Sequence, residues 1–153
     1  MIRIVCIGRI KEKAMLSLIE EYQKRITPIQ KVEVVELPNS VLKDSESEGI
    51  IKDESARILS KIDERDYVVL LDLQGKMLDS HGLASLCEKG LETHKNLTFV
   101  IGGSHGVDQT IRNRADFRWR LSDLTFPHQL VRVILMEQIY RSFMILKNHP
   151  YHK

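Results

Sequence analysis

Leu121-Ser122-Asp123-Leu124-Thr125-Phe126-Pro127-His128 is the stretch that says most about the fold of this 153-residue chain. It is rich in polar and turn-forming residues, and it leads into a long apolar helix predicted for residues 128–147. A simple α/β protein would need only a short connector at this place. The stretch therefore indicates a loop with a role of its own.

A second irregular segment lies upstream, in Phe99-Val100-Ile101-Gly102-Gly103-Ser104-His105-Gly106. Here an apolar strand runs directly into a glycine-rich turn whose backbone can approach a ligand closely. The turn lacks the Lys-Ser/Thr ending of a P-loop and the three-glycine spacing of a dinucleotide site. A nucleotide-phosphate site is therefore not expected. We expect a valine at Gly103 to block ligand approach without unfolding the protein.

Apolar runs of strand length alternate with helical patterns along the chain, at residues 2–8, 32–37, 67–73, 97–101 and 117–121. This alternation predicts an α/β fold with a mainly parallel sheet and helices on both sides. In the last run, Arg118 and Arg120 alternate with apolar residues, so one side of that strand is apolar and the other cationic.

Helix starts are predicted from capping residues. Ser45 with Glu48 predicts a capping box that opens the second helix, and Ser80 predicts the cap of the third helix.

The composition is ordinary for a globular protein, with 42% hydrophobic and 29% charged residues. The length predicts one domain over residues 1–153. No window has the apolar length of a membrane span, and the N-terminus lacks a secretory cleavage pattern, so we expect a cytoplasmic protein without a membrane role. Cys6 and Cys87 are expected to be reduced and buried, and a metal site is not expected.

Positive charge is clustered although the net charge is only +2. One cluster is Arg9, Lys11 and Lys13, and the other contains the four arginines at positions 112, 114, 118 and 120. Clusters of this kind either keep a surface solvated or bind nucleic acid, and the sequence leaves both readings open.

The predicted last helix is apolar around most of its circumference. It is either a central core helix or the interface of a homodimer, with Ile139 as an interface-facing position. Glu137 and Arg141, four residues apart, are spaced for an ion pair on its surface.

The two irregular segments, together with the closing His149-Pro150-Tyr151-His152-Lys153, resemble the C-terminal signature of the SPOUT methyltransferases. They specifically resemble the small single-domain members that methylate N3 of a pseudouridine in large-subunit ribosomal RNA. The resemblance implies a deep C-terminal trefoil knot, S-adenosylmethionine as the cofactor, and a homodimer that acts on rRNA within the ribosome. The cofactor-binding residues that it implies are Leu71, Gly102, Gly103, Ser122, Asp123, Leu124, Thr125, Phe126 and Pro127.

Transfer of a methyl group to N3 requires a base, because the ring nitrogen must lose its proton. Four histidines, at positions 105, 128, 149 and 152, lie in or beside the three segments that resemble the SPOUT signature. His152 is the preferred base, and Tyr151 is a ring on which an unstacked base could lie. Arg132 and Arg141 are candidates for binding phosphate or orienting the base. Each of these residues also has a purely structural interpretation.

Two other functions fit part of the sequence. A doubly wound module that binds a phosphorylated ligand would use the glycine turn but not the Pro-Tyr-His ending. A ribosome-assembly factor without catalytic activity would use the arginine clusters but not a cofactor pocket.

Overall fold

The computed structural model describes residues 1–153. Its strands and helices are, in chain order, β1 (Ile2–Ile7), α1 (Lys13–Ile26), β2 (Val32–Leu37), α2 (Ser47–Leu59), β3 (Asp66–Lys76), α3 (Ser80–Thr93), β4 (Asn96–Ile101), α4 (Gln109–Arg114), β5 (Phe117–Trp119) and α5 (His128–Leu146). All five predicted strands are present, whereas the sequence did not predict the six-residue helix α4.

The strands form one sheet in the order β2-β1-β4-β3-β5, and every neighbouring pair is parallel. The predicted parallel sheet is thus confirmed. β4 is central, and all six of its residues are buried. β5 is an edge strand that pairs only with β3, which explains its mixed apolar and cationic pattern, because an edge strand is incompletely covered.

Helices pack on both faces of the sheet. α5 lies on one face against both α1 and α3, whereas α2 and α4 contact each other and the other face. The two cores divide β4 residue by residue, since Phe99 belongs to the first core and Val100 to the second. This division follows from the alternation of side chains along a strand.

The core-helix interpretation of α5 accounts for much of its apolar surface. Eight of its 19 residues are buried, and Ile139 is completely inaccessible within a single chain. The prediction that Ile139 faces a partner is therefore wrong. Other apolar side chains of the helix, including Leu130, Ile134 and Ile145, remain only half-buried. The Glu137–Arg141 pair is formed, with Arg141 Nε donating to Glu137 Oε1 at 2.9 Å.

Both predicted helix caps are wrong. α2 begins at Ser47, so the Ser45–Glu48 capping box does not form, and no side chain caps this helix. Asp79, rather than Ser80, caps α3, and its carboxylate accepts a hydrogen bond from Gly82 N at 2.7 Å. An aspartate one residue earlier competes successfully because its negative charge also complements the helix dipole.

Both cysteines are buried and free, as predicted. Burial raises the pKa of the Cys6 thiol to about 11 and that of Cys87 to about 12. Both thiols therefore stay protonated and unreactive at physiological pH. No helix in the structure combines the length and apolarity needed to cross a membrane.

A buried carboxylate organises the amino edge of the sheet. Asp66 at the start of β3 is 2% exposed. It accepts hydrogen bonds from Asn96 Nδ2 at 2.7 Å, Thr98 Oγ1 at 2.9 Å and the backbone N–H of Asp63 at 3.2 Å. Arg3 lies 3.5 Å away and also pairs with the exposed Glu33. One side chain thus connects β3 to β4.

We expect Asp66→Ala to lower the free energy of unfolding by about 3 kcal/mol, because it leaves buried donors on Asn96 and Thr98 without acceptors. Urea denaturation measures this loss. Glu33→Ala is the matched control, since it removes a partner of the same Arg3 at an exposed position, and we expect it to cost less than about 1 kcal/mol. Equal losses in the two variants would contradict the assignment.

Candidate active site

A cavity of about 450 Å³ opens at the carboxyl edge of the sheet. Three segments line it: the end of β3, the glycine turn (residues 102–106) after β4, and the 121–127 loop between β5 and α5. Open parallel sheets bind ligands outside this edge, and a cavity of this volume suits a small molecule.

The glycine turn is supported from behind by α2. Gly106, which has a φ of +87°, donates its backbone N–H to the carbonyl of Gly103 at 3.0 Å. A positive φ of this size favours glycine. The backbone N–H of Asp108 donates to the buried Ser55 Oγ at 3.0 Å, and His105 Nδ1 lies 3.1 Å from Ser47 Oγ. The turn is therefore held by side chains of α2.

Packing behind the turn explains the glycine at position 103. A Cβ atom at Gly103 would lie 2.5 Å from Glu54 Oε1 and 3.3 Å from Ile7 Cγ2. Glu54 is 3% exposed, and its Oε2 accepts from the backbone N–H of Ser40 at 2.9 Å while its Oε1 has no partner. A side chain at position 103 thus meets the protein interior, so valine there also disturbs the packing behind the turn.

The sequence prediction did not include Glu54, although the sequence carries a signal for it. Glu54 lies four residues after Ile50 and four before Ile58, and both isoleucines are buried. An acidic residue on the apolar stripe of a helix is a candidate for a buried, functional carboxylate.

An irregularity in β3 forms the second wall of the cavity. Pairing with β5 shifts between Leu71 and Lys76, so residues 72–74 leave the ladder and line the cavity beside Leu71. The Asp72 carboxylate accepts from Arg118 Nε at 2.7 Å and lies 3.9 Å from Arg112 Nε. Bulges of this type commonly redirect side chains next to active sites.

The 121–127 loop forms the third wall. Ser122 Oγ accepts from the backbone N–H of Leu124 at 3.0 Å, which fixes the local turn. Asp123 points away and pairs with Arg120 at 2.8 Å. Seven of the nine predicted cofactor residues line the cavity, namely Leu71, Gly102, Gly103, Ser122, Leu124, Thr125 and Phe126. Asp123 and Pro127 flank these residues without lining it.

Two of the residues that line the cavity each carry a buried donor without a hydrogen-bond partner. These donors are the indole N–H of Trp119 and the Nε–H of Arg112. A buried donor without an acceptor costs free energy. The cavity is therefore suited to a ligand that combines apolar surface with hydrogen-bond acceptors.

His128, the first residue of α5, also lines the cavity. Partial desolvation and the nearby Arg132 cation lower the pKa of its ring, and Glu54 opposes this effect. The imidazole is therefore mainly neutral at physiological pH and able to accept a proton.

Arg132 lies one turn further along α5 and is 4% exposed. It donates to Glu36 Oε2 at 2.7 Å and to the carbonyls of Ile7 and Gly8 at 2.6 and 2.8 Å. Arg132 does not line the cavity. Its contacts instead join the start of α5 to the end of β1.

The C-terminal residues lie apart from the cavity within one chain. Tyr151 donates its hydroxyl to Glu137 Oε1 at 3.1 Å, and its ring lies 4.8 Å from that of Tyr140. Desolvation, with hydrogen bonding and the Glu137 charge, raises the pKa of Tyr151 to about 12, so it stays protonated. Arg141 lies 3.0 Å from His152 Nδ1.

This contact selects the tautomer of a neutral His152 ring. An arginine can only donate, so His152 Nδ1 is the acceptor and, in the neutral ring, Nε2 carries the proton. The ring has no free acceptor nitrogen in this conformation. His149 Nδ1 accepts from the backbone N–H of Tyr151 at 3.2 Å. The structure therefore does not bring the predicted catalytic residues Tyr151, His152 and Arg132 to the cavity of their own chain.

Comparison with known proteins agrees with this architecture. The family described as "Predicted SPOUT methyltransferase" matches residues 1–152. Proteins called Ribosomal RNA large subunit methyltransferase H match over 99% of this chain and of their own, with 44% identity in Streptococcus agalactiae serotype III (strain NEM316), 43% in Carboxydothermus hydrogenoformans and 45% in Clostridium novyi (strain NT).

Among solved structures, tRNA (m1G37) methyltransferase from Aquifex aeolicus matches with a TM-score of 0.52 and 17% identity, over 92% of this chain and 69% of that one. At this identity the likeness concerns the fold. The fold of this chain is a parallel α/β sheet with a cavity at its carboxyl edge, beside the glycine turn and the 121–127 loop. The chain belongs to the SPOUT methyltransferase family, which confirms the resemblance of its C-terminal segments.

We expect Gly103→Ala to lower the free energy of unfolding by about 1 to 3 kcal/mol, because the new Cβ overpacks against the held Glu54 carboxylate. Glu54→Ala should relieve this overlap, so the double variant should cost at least about 1 kcal/mol less than the sum of the single variants. Urea denaturation of all four proteins measures the coupling.

Gly106→Ala is the control for this cycle. No atom lies within 4 Å of a Cβ built at Gly106, and the cost there comes from its positive φ. It should therefore add to Glu54→Ala within about 0.5 kcal/mol. Additive losses for Gly103→Ala would show that Glu54 does not determine the glycine.

Proposed function

We propose that this protein transfers the methyl group of S-adenosylmethionine to N3 of a pseudouridine in large-subunit ribosomal RNA, on the assembled ribosome and in the cytoplasm. The cavity between the glycine turn and the 121–127 loop is the observation that carries the proposal. The relatives called Ribosomal RNA large subunit methyltransferase H, matched over 99% of their length, support ribosomal RNA as the substrate.

The residues that line the cavity fit this cofactor. Leu71 and Ile101 give apolar surface for an adenine ring, and Trp119, which also lines the cavity, carries an indole N–H without a partner. Arg112 is the only lysine or arginine in the lining, and Asp72 lies 3.9 Å from it. Little positive charge therefore opposes a sulfonium cation. When bound, the cofactor supplies an electrophilic methyl group.

The predicted cofactor residues hold the ligand mainly through backbone groups in this proposal. Gly102 and Gly103 present main chain at the end of β4, and Ser122, Leu124 and Thr125 present it from the opposite wall. Backbone donors and acceptors fixed by such turns recognise the polar parts of a nucleoside without adding charge.

The protein must also accept the N3 proton of the acceptor base. We retain His152 as the proposed base and Tyr151 as the ring on which the acceptor base stacks. Both are engaged by Arg141 and Glu137 in the present conformation, so the C-terminal residues must leave these partners before they act. His128, neutral and beside the cavity, is the alternative base.

For Arg132 the contacts support a positioning role within the catalytic set. Its guanidinium is buried and bonded to Glu36, Ile7 and Gly8. It holds His128 and the first turn of α5 in place against the end of β1, and it lowers the proton affinity of His128.

We further propose a homodimer. The half-buried apolar side chains of α5 offer surface for a second copy. The separation between the cavity and the C-terminal residues of the same chain supports a site shared by two copies. In this arrangement, the C-terminal residues of one copy serve the cavity of the other.

The function is tested with ribosomes from cells that lack the protein. We expect purified protein and isotopically labelled S-adenosylmethionine to add one methyl group to one large-subunit pseudouridine, found by mass spectrometry of nuclease fragments. Thr125→Trp, which fills the cavity from an exposed loop position, should abolish the transfer. Ribosome binding without methylation would favour an assembly factor, and binding of nucleotides but not of the cofactor would favour a ligand-binding module.

A mixed dimer tests the shared site. Protein lacking residues 150–153 and the Thr125→Trp variant should each be inactive, since loss of a general base alone costs about 10² to 10⁴ in rate. Co-expressed and purified as a heterodimer, the two should regain activity, because one intact cavity then meets one intact C-terminus. Single-turnover methylation of intact ribosomes is the measurement. An inactive heterodimer that still binds the cofactor would show that the C-terminus acts within its own chain or not at all.

A further inference from the structure

The two clusters of positive charge predicted from the sequence differ in the structure. In the second cluster, Arg118 and Arg120 pair with Asp72 and Asp123 at 2.7 and 2.8 Å. Arg114 pairs with Asp116 at 3.3 Å and also donates to main-chain carbonyls. This cluster therefore holds the fold together and offers little free charge.

The first cluster is free of such partners. Arg9, Lys11 and Lys13 are exposed, and none of their side chains makes an ion pair or hydrogen bond within the chain. Glu12 is the only acidic residue among them. Three unpaired cations within five residues give a local positive surface, although the net charge of the whole chain is only +2.

The segment that carries these cations, residues 8–13, is firmly anchored. Ile10 is 6% exposed, and its backbone N–H donates to Glu36 Oε2 at 3.2 Å. Gly8 donates its N–H to the carbonyl of Leu37 at 2.7 Å and accepts from Arg132 at 2.8 Å. Because Ile10 points inward between them, Arg9 and Lys11 both project outward. The cations therefore stand on a fixed ridge rather than on a flexible loop.

The ridge lies beside the cavity. Cys6 near the end of β1 is paired in register with Ile101 at the end of β4. The residues that follow these positions are the ridge and the glycine turn, and they leave the same edge of the sheet side by side. Ile7, which directly precedes the segment 8–13, lies against the glycine turn, since its Cγ2 is 3.3 Å from the position of a Cβ at Gly103.

We propose that the ridge of Arg9, Lys11 and Lys13 binds the phosphate backbone of the substrate RNA and fixes its path next to the methyl donor. The inference rests on the proposed function and extends it to the surface that captures the substrate. An RNA whose base enters the cavity must carry its backbone across this edge of the sheet, and phosphate is complementary to unpaired, rigidly placed cations.

The test compares two triple variants of equal charge change. The ridge variant, Arg9→Gln/Lys11→Gln/Lys13→Gln, removes the ridge charges. The opposite-edge variant, Lys31→Gln/Lys61→Gln/Lys89→Gln, removes three exposed lysines away from the ridge. Lys31 directly precedes β2 and Lys61 lies in the segment before β3, at the opposite edge of the sheet. Cofactor affinity is measured by calorimetry. Ribosome affinity is measured by sedimentation over a range of salt, and half-saturating ribosome concentration by single-turnover methylation.

We expect the ridge variant to keep the cofactor affinity of the unaltered protein and to need about tenfold more ribosomes for half-saturation. Its plot of log affinity against log salt should be shallower by about 2, because each phosphate contact on a single strand contributes about 0.7. The opposite-edge variant should match the unaltered protein in affinity and slope. Ridge and opposite-edge variants that behave alike would overturn the proposal.

The outcomes separate this proposal from the function on which it rests. If the unaltered protein binds ribosomes but transfers no methyl group, the proposed function is wrong. The salt dependence of ribosome binding by the two variants still tests whether the ridge binds RNA. If the ridge variant loses binding to phosphatidylserine vesicles but not to ribosomes, the ridge serves a lipid surface and the RNA assignment is overturned.

Discussion

The buried guanidinium of Arg132 is the interaction on which the rest of the site depends. It joins three elements at once, because it donates to Glu36 of β2 and to the carbonyls of Ile7 and Gly8 at the end of β1, while it belongs to α5. The same Glu36 oxygen accepts from the backbone N–H of Ile10. A buried cation with several acceptors is strongly directional, and removal of one partner leaves the other desolvated. The contacts of Arg132 and Glu36 thus fix the start of α5 and the ridge of cations relative to the end of β1.

This arrangement separates fixed from movable parts of the site. The glycine turn is held by Ser55, the bulge of β3 by Asp72 and the ridge by Ile10. The C-terminal residues are held at the surface of α5 by Glu137 and Arg141, contacts that side-chain rotation can exchange. In the proposed function, the cofactor therefore binds a preformed pocket, whereas the proposed base and stacking ring lie on a segment held by side-chain contacts alone.

The sequence predicted the sheet well because each strand is a short apolar run between helices, a pattern that only a parallel α/β sheet buries. It failed at helix starts, because Asp79 and Ser80 both cap helices well, and a sequence pattern locates a helix end only to within one or two residues. The cavity lining was largely predicted from the two irregular segments. Glu36 was not, because its importance arises from its contact with Arg132, which is distant in sequence. Glu54 was missed although its place on the buried stripe of α2 is visible in the sequence. The implied trefoil knot stays a prediction.

A crystal structure of the protein with S-adenosylmethionine tests the central claim most directly. We expect the cofactor in the cavity, in contact with Leu71, the glycine turn and the 121–127 loop. We also expect one of its acceptor atoms within hydrogen-bonding distance of the indole N–H of Trp119, which has no partner in the present structure. A cofactor bound elsewhere on the protein, with this cavity empty and the Trp119 N–H still without a partner, would contradict it.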